Sequence, residues 1–287
     1  MTVLRQRMLD DMRIRNLAAE TQTSYLRQVA KFARYYGQSP ELLGPEDIRT
    51  YQLHLIDDRQ LAPTSVAGTV AALRFLYQVT LKRDWAVEAL PLPKRGETLP
   101  VVLSPEEVVR FLDGVARPKH RMILTTCYAA GLRLSEALRL QVTDVDSDRM
   151  VLHVAQGKGA RDRYVMLSPT LLEQLRAWWR VERPARWLFP GRNPEQPMQK
   201  GTVQWACRLA RYRSRLAKPV TPHSLRHAFA VHLLEVGTDV RTIQLLLGHR
   251  RLETTARYLR LATTKVCSAT SPLDLLPRPA TASVSTH

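Results

Sequence analysis

Six side chains spread over the second half of this 287-residue chain are of types that can do chemistry together. They are Arg133 in GLRLSEAL, Lys158 in QGKGARDR, His223 and Arg226 in PHSLRHAFA, His249 in LLGHR, and Tyr258 in TTARYLR. The set suits phosphoryl transfer on a nucleic-acid backbone. Guanidinium forks hold non-bridging phosphate oxygens in a planar, permanently charged grip. A lysine or histidine can hand a proton to a leaving oxygen. A tyrosine hydroxyl can attack phosphorus and retain it covalently.

The local sequence says how each is presented. Thr221-Pro222 reads as a helix start, so His223 and Arg226, three apart, share one face of the first turn. Free N–H groups at that helix end also favour an anion. Gly131 breaks a helix ahead of Arg133, and Glu136, three residues on, is placed to hold the arginine or a neighbouring histidine. Lys158 stands between two glycines at the predicted tip of a β-hairpin. Gly248 reads as a helix C-cap, which puts His249 just past the helix end. Tyr258 follows Thr254-Thr255, the predicted start of a last short helix. Taken singly, each motif also fits a structural role: a surface His and Arg, a local Arg–Glu pair, an ordinary glycine turn, a tyrosine packed beside Leu259 and Leu261.

The elements that position these residues fall into two groups. Tyr25, Val29, Phe32 and Tyr36 form an apolar stripe that predicts a helix over 21–36, stopped at Gly37. Gly44-Pro45-Glu46-Asp47 opens another helix, with acids in its first turn, and a third runs from Val66 to Leu81. Interleaved Arg27, Lys31, Arg34, Arg74, Lys82 and Arg83 fit either phosphate contacts or ordinary helix-surface charge. Three prolines and a glycine in 90–100 mark a linker. Beyond it Ser104-Pro105-Glu106-Glu107 is a strong helix start, with Glu107 able to close a capping box. A buried helix over 122–130, a β-hairpin over 150–167 and a helix from Ser168-Pro169 through Trp179 follow. A proline-rich loop over 182–200 and three or four further helices complete the unit.

The formal net charge is +17. Residues 1–100 hold 14 Lys and Arg against 11 Asp and Glu, whereas the remainder holds 29 against 15. The excess therefore lies with the candidate residues, and a field of that sign attracts polyanions in a salt-dependent way. No basic helix carries a clear lipid-facing stripe and no long apolar run occurs, which argues against membranes. Three cysteines without metal spacing, and no signal-peptide core, lead us to expect a reducing, cytoplasmic, nucleoid-associated protein. His223, His227, His232 and His249 lack a carboxylate or cysteine cluster to complete a metal site, and Arg226 beside them repels a cation. A nucleophile elbow and a P-loop are both missing, so neither a serine hydrolase nor ATP is expected.

As an ordered set, these motifs resemble the tyrosine recombinases, or phage integrases. The resemblance covers essentially the whole chain and matches at all six positions. It implies a mostly α fold with a small β-sheet: a helical, SAM-like DNA core-binding domain (1–90), a linker (91–103), a mixed α/β catalytic domain (104–265) and a C-terminal tail (266–287). It further implies that Arg133 and Arg226 bind the scissile phosphate and that Lys158 protonates the leaving 5′ oxygen. His223 would assist as general acid/base, His249 would hydrogen-bond the phosphate, Tyr258 would be the nucleophile and Glu136 would support the site. The expected activity is site-specific DNA recombination through a 3′-phosphotyrosine, with no cofactor, no metal and no ATP. The expected partner is double-stranded DNA, bound by a homotetramer on two sites.

The tail motif Ser271-Pro-Leu-Asp-Leu-Leu-Pro277 is similar to the end of integron integrases, although the stretch from the lysine hairpin to His223 lacks their insertion; the length also suits Xer recombinases. A mobile-element integrase or resolvase is the reading preferred here. The same chemistry also fits a type IB-like topoisomerase, which would relax plasmids without site preference. A DNA-binding regulator with a dead site is the alternative from another class.

Overall fold

A computed structural model of the chain describes residues 2–86, 90, 100–155, 162–249 and 251–261. The chain divides into two compact units, residues 1–98 and 99–287. Lys158, most of the linker and the tail with its Leu273, Leu275 and Leu276 lie outside the described residues.

Among the described residues four α-helices build the first unit: α1 (Val3–Ile14), α2 (Ala19–Tyr36), α3 (Pro45–Leu53) and α4 (Pro63–Arg74). Helix α1 lies ahead of the first helix expected from the sequence, yet Leu4, Met8 and Met12 recur every four residues on one face, with Met8 and Met12 fully buried. Helix α2 ends where expected, with Gly37 in the left-handed region at φ +66°. At the start of α3 the Asp47 carboxylate accepts the Gly44 N–H at 2.8 Å, so the acid in the first turn acts as a cap. Helices α3 and α4 each run on through a wider π-type turn, over 54–58 and 75–80. Phe32, Ile48, Val70, Leu73, Leu76 and Tyr77 form a common core. Burying side chains of this size contributes about 1.5–3 kcal/mol each.

In the second unit, the expected capping box opens α5 (Pro105–Asp113). Ser104 Oγ accepts the Glu107 N–H at 3.3 Å, and the Glu107 carboxylate accepts the Ser104 N–H at 2.8 Å. Helix α6 (Pro118–Ala129) and short α7 (Leu134–Leu138) follow. A three-stranded antiparallel sheet comes next, in the order β1 (Val145–Asp146), β2 (Val151–Val154), β3 (Arg163–Met166). Leu152 pairs with Val165, and both are buried. The two-residue β1 carried no readable signal. Helices α8 (Pro169–Glu182), α9 (Lys200–Arg213), α10 (Pro222–Glu235), α11 (Val240–Leu247) and α12 (Glu253–Ala256) complete the unit, with a 3₁₀ turn over 257–260. Phe111, Ile123, Leu124, Leu171, Phe189 and Leu225 belong to its main core. A second cluster of Phe229, Val231, Leu234, Ile243 and Leu247 joins α10, α11 and Tyr258. No helix among the described residues is long and apolar enough to cross a membrane.

Candidate active site

The site is organised by one carboxylate. Glu136 is 7% exposed and lies on α7. Its oxygens accept the Arg133 N–H at 2.9 Å and the Arg133 guanidinium at 2.6 Å. They also accept both terminal nitrogens of Arg163, at 3.1 and 2.8 Å, and Arg226 Nη1 stands 3.7 Å away. Burial by itself would raise the Glu136 pKa. The hydrogen bond and charge of Arg163, then those of Arg133, reverse that and hold it down at about 2. The carboxylate thus stays charged and binds three cations in a fixed arrangement.

Main-chain oxygens fix Arg226, which is 3% exposed. It donates to the Gly131 carbonyl at 2.5 Å and to the Leu247 carbonyl. Burial, then the charge of Arg133, lowers its pKa to about 9. The Gly131 carbonyl is available because that residue turns the chain at φ +60°, where a Cβ would meet the Phe229 ring at 2.5 Å. Glycine is therefore required twice over, by conformation and by space.

Helix α10 opens as the sequence predicts. Thr221 Oγ1 accepts the Ser224 N–H at 3.3 Å, and Ser224 Oγ accepts the Thr221 N–H at 3.1 Å. Its first turn, however, divides His223 from Arg226: the arginine faces inward, while His223 is exposed. Partial desolvation, then the charges of Arg226, Lys200 and Arg133, lower the His223 pKa.

Gly248 caps α11 in the left-handed region, and His249 follows directly. Its Nδ1 is 2.8 Å from the hydroxyl of buried Thr255. Burial, then Arg226, Arg133 and Arg257, bring the His249 pKa down to about 3, so the ring is neutral at physiological pH. Tyr258 is 1% exposed. Its ring lies 6.4 Å from that of His249 at an interplanar angle of 20°, under the Arg257 guanidinium at 5.4 Å. Its hydroxyl is 2.8 Å from His227 Nδ1. The phenol is also among the groups acting electrostatically on Arg226.

Five of the six sequence candidates therefore share one charged neighbourhood, with Glu136 at its centre; Lys158 falls outside the described residues. Sequence reasoning missed Arg163, Thr255 and Arg257, and treated His227 only as a metal candidate. Arg163 had a signal: on β3 it has the same parity as buried Val165, and an arginine on a core-facing position needs a partner. His227 lies four residues after His223, one turn along the same face. Nothing local marks Thr255. Among the described residues no group of three or more His, Cys, Asp or Glu is arranged to hold a metal ion. A cleft of about 1490 Å³ lies elsewhere, lined by residues such as His120, Trp178, Glu182 and Arg192.

Residues 102–265 match the phage integrase family, and residues 4–87 match the phage integrase N-terminal SAM-like domain. The chain is 63% identical over 281 residues to a Sinorhizobium fredii protein provisionally named integrase/recombinase y4qK, covering 98% of this chain and 91% of that one. It is 33% identical over 269 residues to the tyrosine recombinase XerD of Rhizobium meliloti, covering 85% and 86%. Among solved structures, a lambda integrase dimer bound to a COC′ core site is similar in fold, with a TM-score of 0.73 at 18% identity over 88% of this chain and 97% of that one. An XerH site-specific recombinase bound to its difH substrate gives a TM-score of 0.69 at 20% identity over 92% and 84%.

Proposed function

Because the chain belongs to the phage integrase family, we propose that it is a site-specific DNA recombinase that cuts and rejoins strands through a 3′-phosphotyrosine. The observation that carries this reading is the single Glu136-centred cluster, in which Arg133, Arg226, His249 and Tyr258 act on one another.

A phosphodiester entering this cluster meets Arg133 and Arg226, whose forks neutralise the non-bridging oxygens and the charge that builds up during attack. Neutral His249, oriented by Thr255, offers its other ring nitrogen as a hydrogen-bond partner. The Tyr258 oxygen forms a bond to phosphorus as the bond to the 5′ oxygen breaks. Lys158 supplies the proton that the leaving oxygen needs, with His223 assisting. Glu136 keeps the arginines in register. The phosphotyrosine conserves the energy of the broken ester, so a new 5′ hydroxyl can reseal it without ATP. DNA suits this chemistry, since an RNA 2′-hydroxyl would attack the adjacent 3′ phosphotyrosine. Exchange between two duplexes calls for one nucleophile per strand, hence a homotetramer on two sites of double-stranded DNA. The +17 charge supports the DNA partner.

The test uses a nicked suicide duplex carrying a site that the full chain selects from a random duplex pool. Wild type should accumulate a covalent adduct, and Tyr258→Phe should bind the same duplex without forming one. An adduct that survives Tyr258→Phe removes Tyr258 from the role.

A further inference from the structure

We propose that His227, and not His223, takes the phenolic proton of Tyr258 as that oxygen attacks phosphorus. The inference rests on the recombinase reading above and assigns a step that reading leaves open. As the Tyr258 oxygen–phosphorus bond forms, the O–H proton passes to His227 Nδ1. The bond from phosphorus to the 5′ oxygen breaks at the same time, and that oxygen is protonated by the separate general acid. Resealing runs both transfers backward, and the imidazolium returns its proton to the departing phenol.

Geometry favours His227. Its Nδ1 is 2.8 Å from the Tyr258 oxygen, within proton-transfer reach, and the two rings are 5.6 Å apart. Among the described residues no other side chain hydrogen-bonds that hydroxyl, and Tyr258 is 1% exposed, so bulk water has little access to it. His223 lies one turn earlier, exposed, with its ring 6.5 Å from that of His227 and no hydrogen bond to the phenol. His227 follows Arg226 directly on α10, so one rigid element presents both the base and a phosphate ligand.

The charges around His227 bear on its protonation. His223 and Arg226 face it from α10, Arg257 and Tyr258 from the 3₁₀ turn, and His249 from the end of α11. Burial, then Arg257, His223 and Arg226, lower its pKa to about 4. Without DNA the ring is therefore neutral and its Nδ1 is open to a proton. A phosphate bound to Arg226 offsets part of the cationic field and makes the ring a stronger base at the moment it is needed.

The experiment measures single-turnover adduct formation by the full chain on the pool-selected nicked duplex, from about pH 3.5 to pH 9, a range that spans the titration of a ring at about 4. In His227→Asn the amide oxygen can stand where Nδ1 stands; it accepts the hydrogen bond but takes no proton. Base catalysis of this kind is typically worth about 10²–10⁴-fold, and His227→Asn should lose an amount of that order at pH 7 while binding the duplex normally. Its rate should climb with hydroxide and lack the acidic limb of the wild-type profile. His227→Ala should be rescued in part by added imidazole, and His223→Gln should keep the acidic limb. His227→Asn within a few-fold of wild type, or slowed equally at every pH with the limb intact, overturns the proposal. Wild type that forms no adduct, or a Tyr258→Phe adduct, instead overturns the recombinase reading and the proposal with it.

Discussion

Glu136→Gln tests the charged centre most directly. The change keeps size and shape and removes one negative charge from among three guanidinium groups. Holding that carboxyl at about 2, against its ordinary 4.5, is worth about 3 kcal/mol of folding free energy at neutral pH, at roughly 1.4 kcal/mol per pH unit of difference. Breaking a buried ion pair from one side typically costs about 3–5 kcal/mol, so two independent routes agree. Four of the five tryptophans, Trp178, Trp179, Trp187 and Trp205, lie in the second unit. Their fluorescence during urea unfolding therefore reports on the unit that contains Glu136. The variant should lose about 3 kcal/mol at pH 7. A depressed carboxyl contributes fully above its unfolded pKa and loses that contribution as pH falls, so the gap between the two proteins should close between about pH 4.5 and pH 2. A gap under about 1 kcal/mol at pH 7, or one that ignores pH across this window, would show that the carboxylate does not hold the arginines.

Two further perturbations follow from the same geometry. Gly131→Ala forces a Cβ to within 2.5 Å of the Phe229 ring at φ +60°; it should cost about 1–3 kcal/mol or more and slow DNA cleavage by moving the carbonyl that holds Arg226, and unchanged melting and cleavage would contradict both. Acid should weaken the fold before the carboxylates titrate: His227 and His249 are depressed to about 4 and about 3 from 6.5, so from about pH 6.5 downward the unfolded chain takes up protons the folded chain refuses. The unfolding free energy from urea melts should fall by roughly 2 kcal/mol per pH unit between about pH 6 and 4, and a flat profile would count against buried, neutral imidazoles.

Local chemistry made much of this molecule legible. Ser104 and Glu107 form the box their spacing announces, Gly37 and Gly248 end helices in the left-handed region, and Leu152 pairs with Val165 in the expected hairpin. Each is decided within a few residues of chain. The pairing of Glu136 with Arg163 spans 27 positions, and the contact of His227 with Tyr258 spans 31. Such contacts depend on how α7, β3, α10 and the last turn pack, which periodicity does not encode. Helix spacing put His223 and Arg226 on one side of α10, yet one is exposed and the other 3% exposed. Three residues advance the helix by about 300°, enough for a packed neighbour to cover one side chain and leave the other free.

Arg226 is secured by the carbonyls of Gly131 and Leu247. Every amino acid has such an oxygen, so mutation can replace neighbouring side chains without removing either anchor, provided Gly131 keeps its turn. Surface helices can then diverge widely while the Glu136-centred cluster stays put. The fold should accordingly tolerate exchange of outward-facing positions on α9 far better than any shift in the ends of α6 or α11.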